Sequence, residues 1–222
     1  MLRDYYRRNL PHLLPMGATF FVTFRLKGSI PKSIIDKLAF ERDQALVENT
    51  FRKDILEPER QSLKYTIEKK YWQAFNDVLD TIKEGPHHLK IPELAQIVVD
   101  RMTFFDGIYY NLHSYVVMSN HVHALLDFSV QLKNIEGAIT EENYKQLESV
   151  MKLIKGSSAK YCNDWLKEHQ MPPLSPFWTA ETYDRYMRNQ QHEDATINYI
   201  LNNPVKVGIC KKWQDYPFAW RL

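Results

Sequence analysis

The sequence predicts an α+β fold, and three observations carry that expectation. Stretches of strand-type composition occur at 19–26, 115–126 and 177–187. Between and after them lie long segments whose apolar residues recur at steps of three and four. Internal repeats and low-complexity linkers are absent from the 222 residues, so one domain spanning 1–222 is expected.

Residues 1–16 read as irregular, with Pro11, Pro15 and a small basic cluster at Arg3, Arg7 and Arg8. Such an arm suits phosphate contact, and a solvated tail is the ordinary alternative. Thr19-Phe20-Phe21-Val22-Thr23-Phe24-Arg25-Leu26 is the first strand, ended by Gly28 and Pro31. From about 31 to 107 the period is helical. Ile35, Leu38, Ala45 and Leu46 mark a first helix, and Leu63, Ile67, Tyr71, Phe75, Val78 and Ile82 a second, from about Pro58 to Lys83. Ile91, Leu94, Ala95, Val98, Met102 and Phe105 mark a third, ending near Gly107; His87-His88 is expected as loop surface.

Tyr115 to Leu126 reads as one buried strand, free of Gly and Pro and interrupted by two histidines, His121 and His123. A strand alternates its faces, so both imidazoles share one. A helix is expected from about Glu142 to Lys167, with Gly156 in its middle. A mid-helix glycine costs about 1 kcal/mol relative to alanine, which points to close backbone approach by sheet or ligand. Lys152, Lys155 and Lys160 give that helix a candidate phosphate-facing edge; a solvated face is the alternative. Phe177 to Met187 reads as strand. The last helix, about Gln191 to Asn202, puts Ile197, Ile200 and Leu201 in one apolar sector, with Tyr199 and Asn203 sharing a face nearly opposite and Pro204 closing it.

Composition constrains the function only loosely. Apolar residues make up 44%, charged residues 25%, and the formal net charge is +2, so any basic surface has to be local. Two cysteines, Cys162 and Cys210, form no metal or disulfide pattern. Met1 to Arg8 lacks the apolar core of a signal peptide and no apolar run approaches a membrane span. A cytoplasmic protein with no membrane partner is expected.

The chemistry lies in four residues. Two neutral imidazoles on a rigid sheet are half of a metal site, although hydrogen-bonded core histidines are the ordinary alternative. A divalent cation, Mg²⁺ or Mn²⁺, held by His121 and His123 would bind a phosphate oxygen and withdraw charge from phosphorus. The amide oxygen of Asn203 would complete a three-ligand site; the alternative is a helix C-terminal residue before Pro204. Tyrosine ionises near 10 and is a poor nucleophile, but an activated phosphodiester lets Tyr199 attack and keep a covalent phosphotyrosine.

Val117-Met118-Ser119-Asn120-His121-Val122-His123-Ala124-Leu125-Leu126 resembles the HUH motif (His, hydrophobic, His) of single-tyrosine transposases. Tyr199-Ile200-Leu201-Asn202-Asn203-Pro204-Val205-Lys206-Val207-Gly208 resembles the catalytic helix of the REP-associated tyrosine transposases, relatives of insertion-sequence transposases. Gly17 to Arg25, Lys155-Gly156-Ser157-Ser158-Ala159-Lys160, Phe177-Trp178 through Arg185, and Trp213 to Phe218 also match, in order. Relatives often have Met-Pro-Asn-His where this chain has Met118-Ser119-Asn120-His121.

The resemblance implies an HUH-endonuclease, ferredoxin-like core with a central antiparallel sheet flanked by helices, and a helical insertion at about 31–107. It implies single-stranded DNA, often beside a hairpin, cleaved to a 5′-phosphotyrosine and a free 3′-hydroxyl. His121, His123 and Asn203 would be metal ligands and Tyr199 the nucleophile, in a monomer or homodimer. Arg7, Arg8, Lys152, Lys155, Lys160 and Trp178 are the candidate DNA contacts, Trp178 and Tyr183 as stacking surfaces. Two rivals stand beside this reading. One is a catalytically silent or host-domesticated binder of hairpin single-stranded DNA. The other is a metal hydrolase using carboxylates and a water nucleophile, for which the sequence has no acidic motif beside the histidines.

Overall fold

A computed structural model of the chain describes residues 5–7, 11–133, 135 and 137–222; of residues 5–7 and 11–13 only the backbone is described. The chain forms two compact units, one of residues 1–27 with 87–222 and the other of residues 28–86. The expected helical stretch is therefore divided between them.

In the smaller unit α1 (Lys32–Phe51) and α2 (Glu57–Thr81) form a helical hairpin. The α2 start is fixed by Glu59, whose carboxylate accepts from Leu56 N at 3.1 Å. Arg60 ties the two helices, donating to the carbonyls of Asn49 and Thr50 at 2.7 Å each. Tyr71, Phe75 and Leu79 are the buried face of α2, and α1 leaves Phe40, Val47 and Phe51 exposed.

The larger unit holds a five-stranded antiparallel sheet in the order β6-β3-β5-β4-β7. Its strands are β3 (Thr19–Arg25), β4 (Asn111–Val117), β5 (His121–Asp127), β6 (Tyr183–Tyr186) and β7 (Ala219–Arg221). Helices α3 (Pro92–Phe104), α4 (Ser129–Leu132), α5 (Leu147–Glu168) and α6 (Gln190–Lys206) accompany it. The fold class expected from the sequence is the one observed. Among the described residues no helix is long and apolar enough to cross a membrane.

Strand alternation divides the sheet into two unlike faces. Phe20, Val22 and Phe24 of β3, Tyr115 and Val117 of β4, and Val122, Ala124 and Leu126 of β5 pack with α3 and α5 in the main core. The other face holds a smaller cluster in which Phe21, Val116 and Leu125 meet Ile200 of α6. His121, His123 and Thr23 occupy alternation positions on this second face, beneath α6.

Several expectations are corrected. Tyr115 to Leu126 is a hairpin of β4 and β5, turned at Met118-Ser119-Asn120 and closed by Met118 N donating to His121 O at 2.8 Å. A turn without glycine or proline left no mark in an otherwise apolar run. Residues 1–16 are not wholly irregular, since β1 (Tyr5–Arg7) pairs antiparallel with β2 (Pro11–Leu13). The strand expected over Phe177 to Met187 shrinks to β6; Trp178 reaches the sheet through a single bridge to Leu26. His87-His88 is not loop surface: His88 opens a 3₁₀ turn, Leu89 N donates to Ser119 O at 3.1 Å, and His87 Nδ1 lies 2.7 Å from Ser119 Oγ. Helix α6 runs through Pro204 although proline has no N–H to donate to the carbonyl of Ile200, and Val207 N still bonds Asn203 O at 3.2 Å beyond it.

Gly156 meets nothing within 4 Å of where a Cβ would stand, so close approach does not explain it. Replacing it should therefore recover the helix propensity glycine lacks: Gly156→Ala is expected to raise unfolding stability by about 0.5–1 kcal/mol in urea melts. Two residues on, Ser158 Oγ accepts from the buried Trp178 indole at 3.0 Å while donating to Ile154 O at 2.7 Å. Ser158→Ala orphans that indole N–H and should cost about 1–3 kcal/mol. Adding Trp178→Phe removes the orphaned donor, so the double variant should lose less than the two single losses combined.

Candidate metal and nucleophile site

The register of the sheet builds the site. Thr23 of β3 lies directly opposite His123 of β5, and Arg25 opposite His121. Both imidazoles are fully buried. The turn that precedes them is held on its outer side: Leu26 N donates to Asn120 O at 2.9 Å, beside the Ser119 contacts already described.

Each ring is oriented by a partner at Nδ1. Asn120 Oδ1 lies 2.7 Å from His121 Nδ1, and Thr23 Oγ1 lies 2.7 Å from His123 Nδ1. These contacts turn the two Nε2 atoms toward each other at 3.1 Å. An amide oxygen only accepts, so His121 carries its proton on Nδ1 and presents a lone pair at Nε2. A hydroxyl both donates and accepts, so Thr23 allows His123 to present at Nε2 either a proton, which bridges the pair, or a second lone pair. Two nitrogens bound at roughly 2.1 Å to one ion stand roughly 3.0–3.4 Å apart. The observed spacing fits a shared ion without rearrangement.

Charge on either ring is disfavoured. Burial, with a smaller contribution from His87, pushes His121 down to about 3. Burial, the neighbouring His121 and the ammonium of Lys206 lower His123 well below the ordinary histidine range. Neutral imidazole is the form that binds metal.

Helix α6 brings the other two residues. Asn189 caps it, its Oδ1 accepting from His192 N at 2.9 Å. Tyr199 does not lie opposite the packed sector. Its ring meets His123 at 5.4 Å between centroids and Phe21 at 5.8 Å, edge-on. Phe21 in turn stacks on His123 at 5.3 Å. The apolar arc of α6 is wide enough that Tyr199 stands at its border and still touches the sheet. Asn203, one turn on, is 1% exposed and lies inside the helix, so it is not the terminal cap. Its Nδ2 donates to Tyr199 O at 3.2 Å, and among the described residues its buried Oδ1 has no hydrogen-bond partner. A buried oxygen left so costs about 1–3 kcal/mol, and a cation would satisfy it.

The candidate DNA contacts are placed differently. Trp178 is 5% exposed, packed edge-on against Phe24 at 4.9 Å, and is a core residue with no face open to a base. Lys155 clamps the 180–182 segment, donating to Ala180 O at 3.0 Å and Thr182 Oγ1 at 3.1 Å. Lys152 and Lys160 each pair with a carboxylate one turn away, Glu148 at 3.0 Å and Asp164 at 2.9 Å. Tyr183 is buried in β6. Arg7 lies in β1, its side chain outside the described part of the structure, and Arg8 lies outside the described residues. Sequence reasoning assigns no site role to Thr23, Asn120 or His87. A strand pattern marks which residues share a face, but a cross-strand or loop partner depends on register.

Among solved structures, the chain is similar to the REP-associated tyrosine transposase bound to a REP hairpin, with a TM-score of 0.50 and 16% sequence identity. The match covers 96% of this chain and 80% of that chain. A likeness at this identity establishes the fold, an antiparallel sheet flanked by helices. No protein-family model matches the sequence, and no curated protein matches it.

Unfolded histidine titrates near 6.5, far above where folding holds His121. Between that value and about 3 the unfolded chain binds more protons, so stability falls as pH falls through the window, by up to ~1.4 kcal/mol per pH unit for each group. The metal-free protein should show a urea midpoint that drops steadily from pH 7 to 5. A His121→Asn/His123→Asn double variant should show a distinctly flatter profile.

Proposed function

We propose that this chain is a metal-dependent single-stranded DNA endonuclease and transposase of the REP-associated tyrosine type, with Tyr199 as nucleophile. The observation that carries the reading is one arrangement: a tyrosine on a capped helix stands against His123, whose Nε2 converges with that of His121 at 3.1 Å. The fold shared with a transposase bound to a REP hairpin supports DNA as substrate.

His121, His123 and the Asn203 Oδ1 would hold a divalent ion, Mg²⁺ or Mn²⁺. When bound, it supplies Lewis-acid polarisation of the scissile phosphate. Asn120 and Thr23 fix the ligand rings, which preorganises the site. Phe21 and Ile200 exclude water from the helix–sheet seam. The Tyr199 phenol oxygen forms a bond to phosphorus as the bond from phosphorus to the 3′ oxygen breaks. The phenol proton is lost and the departing oxygen becomes a 3′-hydroxyl. The 5′-phosphotyrosine retains the ester for rejoining or transfer.

The test is incubation of the protein with end-labelled single-stranded hairpin DNA and Mn²⁺, followed by a denaturing gel. The wild type should form a covalent protein–DNA adduct with the single strand and none with blunt duplex or in excess chelator. Tyr199→Phe should keep hairpin binding and lose the adduct by at least about 10³-fold. Undiminished adduct in Tyr199→Phe, or cleavage that persists in chelator, would remove the proposed nucleophile or the metal. Hairpin binding with no adduct under any condition would favour the silent binder.

A further inference from the structure

Strand β4 carries one residue more than its partner. Its register against β5 runs Leu112↔Leu126 and then Ser114↔Leu125, so His113 is the extra residue of a β-bulge. Bulges re-aim side chains, and they are frequent beside active sites. This one sends an imidazole to the first turns of α6: His113 Nδ1 lies 2.5 Å from Glu193 Oε1. A carboxylate only accepts, so the imidazole donates. Its Nε2 lies 3.8 Å from Asp127 Oδ2 at the end of β5, and the three side chains are only 23%, 14% and 13% exposed for His113, Glu193 and Asp127.

The anchorage is itself held. Asp127 accepts from Ser129 N at 2.9 Å, Ser129 Oγ at 2.6 Å and Asn111 Nδ2 at 2.9 Å. From the sheet edge, Leu222 N donates to His113 O at 2.9 Å, and Ser114 Oγ donates to Trp220 O at 2.9 Å. Ile197 and Ile200 of α6 pack on this face through apolar contacts. Apolar contacts are non-directional and leave a helix free to shift along a sheet. A charge-assisted hydrogen bond in a covered setting does not. Tyr199 lies less than two turns beyond Glu193 on the same rigid element.

We infer that His113 and Glu193 are positioning residues for Tyr199: their contact sets where α6 sits along the sheet and so where the phenol stands relative to His123. The inference rests on the reading of Tyr199 as nucleophile, but its first test does not need cleavage. Protein carrying 3-fluorotyrosine at position 199 alone is observed by ¹⁹F NMR without DNA, as wild type, His113→Ala, Glu193→Ala, the double variant and His113→Gln, which keeps an N–H donor. Both single variants should move or broaden the resonance that the His123 and Phe21 rings shape. The double variant should add nothing further, and His113→Gln should return toward wild type. The second test is single-turnover cleavage at saturating single-stranded hairpin with Mn²⁺. The rate should fall about tenfold in either alanine variant while hairpin Kd stays within about twofold.

Lower melting temperatures with an unchanged fluorine resonance and unchanged rate would reduce the contact to a structural one and overturn the inference. Where His113→Ala fails to fold, Glu193→Gln keeps an acceptor, removes the charge and should give an intermediate shift; a wild-type resonance in that variant would overturn it equally. A wild type that never cleaves would defeat the proposed function, and the fluorine measurement would still decide the positioning role.

Discussion

Two fully buried imidazoles with converging Nε2 atoms are the constraint that the rest of this face depends on. Neither ring can take a proton cheaply, because burial removes water, His87 further lowers His121, and His121 and Lys206 further lower His123. Their Nδ1 atoms are committed to Asn120 and Thr23. The two Nε2 atoms face each other at 3.1 Å, a spacing that suits a shared proton or a cation. The Asn203 Oδ1, one helical turn from Tyr199, is a hard acceptor that is buried and has no hydrogen-bond partner among the described residues. Polar groups left in this state are costly, and they are expected where function requires them.

The sheet separates that cost from its compensation. Its opposite face packs Phe20, Val22, Phe24, Val122 and Leu126 against α3 and α5, all nearly inaccessible to solvent. Each such side chain contributes about 1.5–3 kcal/mol on burial. The α6 face has a smaller apolar cluster, so the helix that carries Tyr199 relies on directional contacts as well: the Asn189 cap at its start and the Glu193 bond to His113 soon after. A side chain on a helix fixed in this way is held more firmly than one on a loop.

Much of this was legible in the sequence where periodicity is long and clean. The first strand and the helices from 58 to 83, 91 to 105 and 142 to 167 emerged near their observed bounds because apolar residues recur over several turns. The two histidines share a face because strand alternation demands it, and this holds even though the expected single strand is a hairpin. Short elements did not emerge: β1, β2 and β7 have three residues each, too few for a pattern. The sequence places Tyr199 opposite the apolar sector because three apolar positions define that sector too narrowly, whereas the ring's contacts come from Phe21 and His123 on other elements. Trp178 reads as a stacking candidate because it is an aromatic in a strand-like run, and composition cannot tell a stacking surface from a core residue. His87, Thr23 and Asn120 reach the site through the docking of a loop, the sheet register and a turn, none of which a one-dimensional pattern records.

The central claim is that His121, His123 and Asn203 form one metal-binding site facing Tyr199. Diffraction from a crystal grown with Mn²⁺, collected to use its anomalous scattering, tests it directly. The account predicts a single strong peak roughly 2 Å from the Nε2 atoms of both histidines and from the Asn203 Oδ1. A peak that engages either histidine through Nδ1, or the absence of any peak between the rings at saturating Mn²⁺, would contradict it.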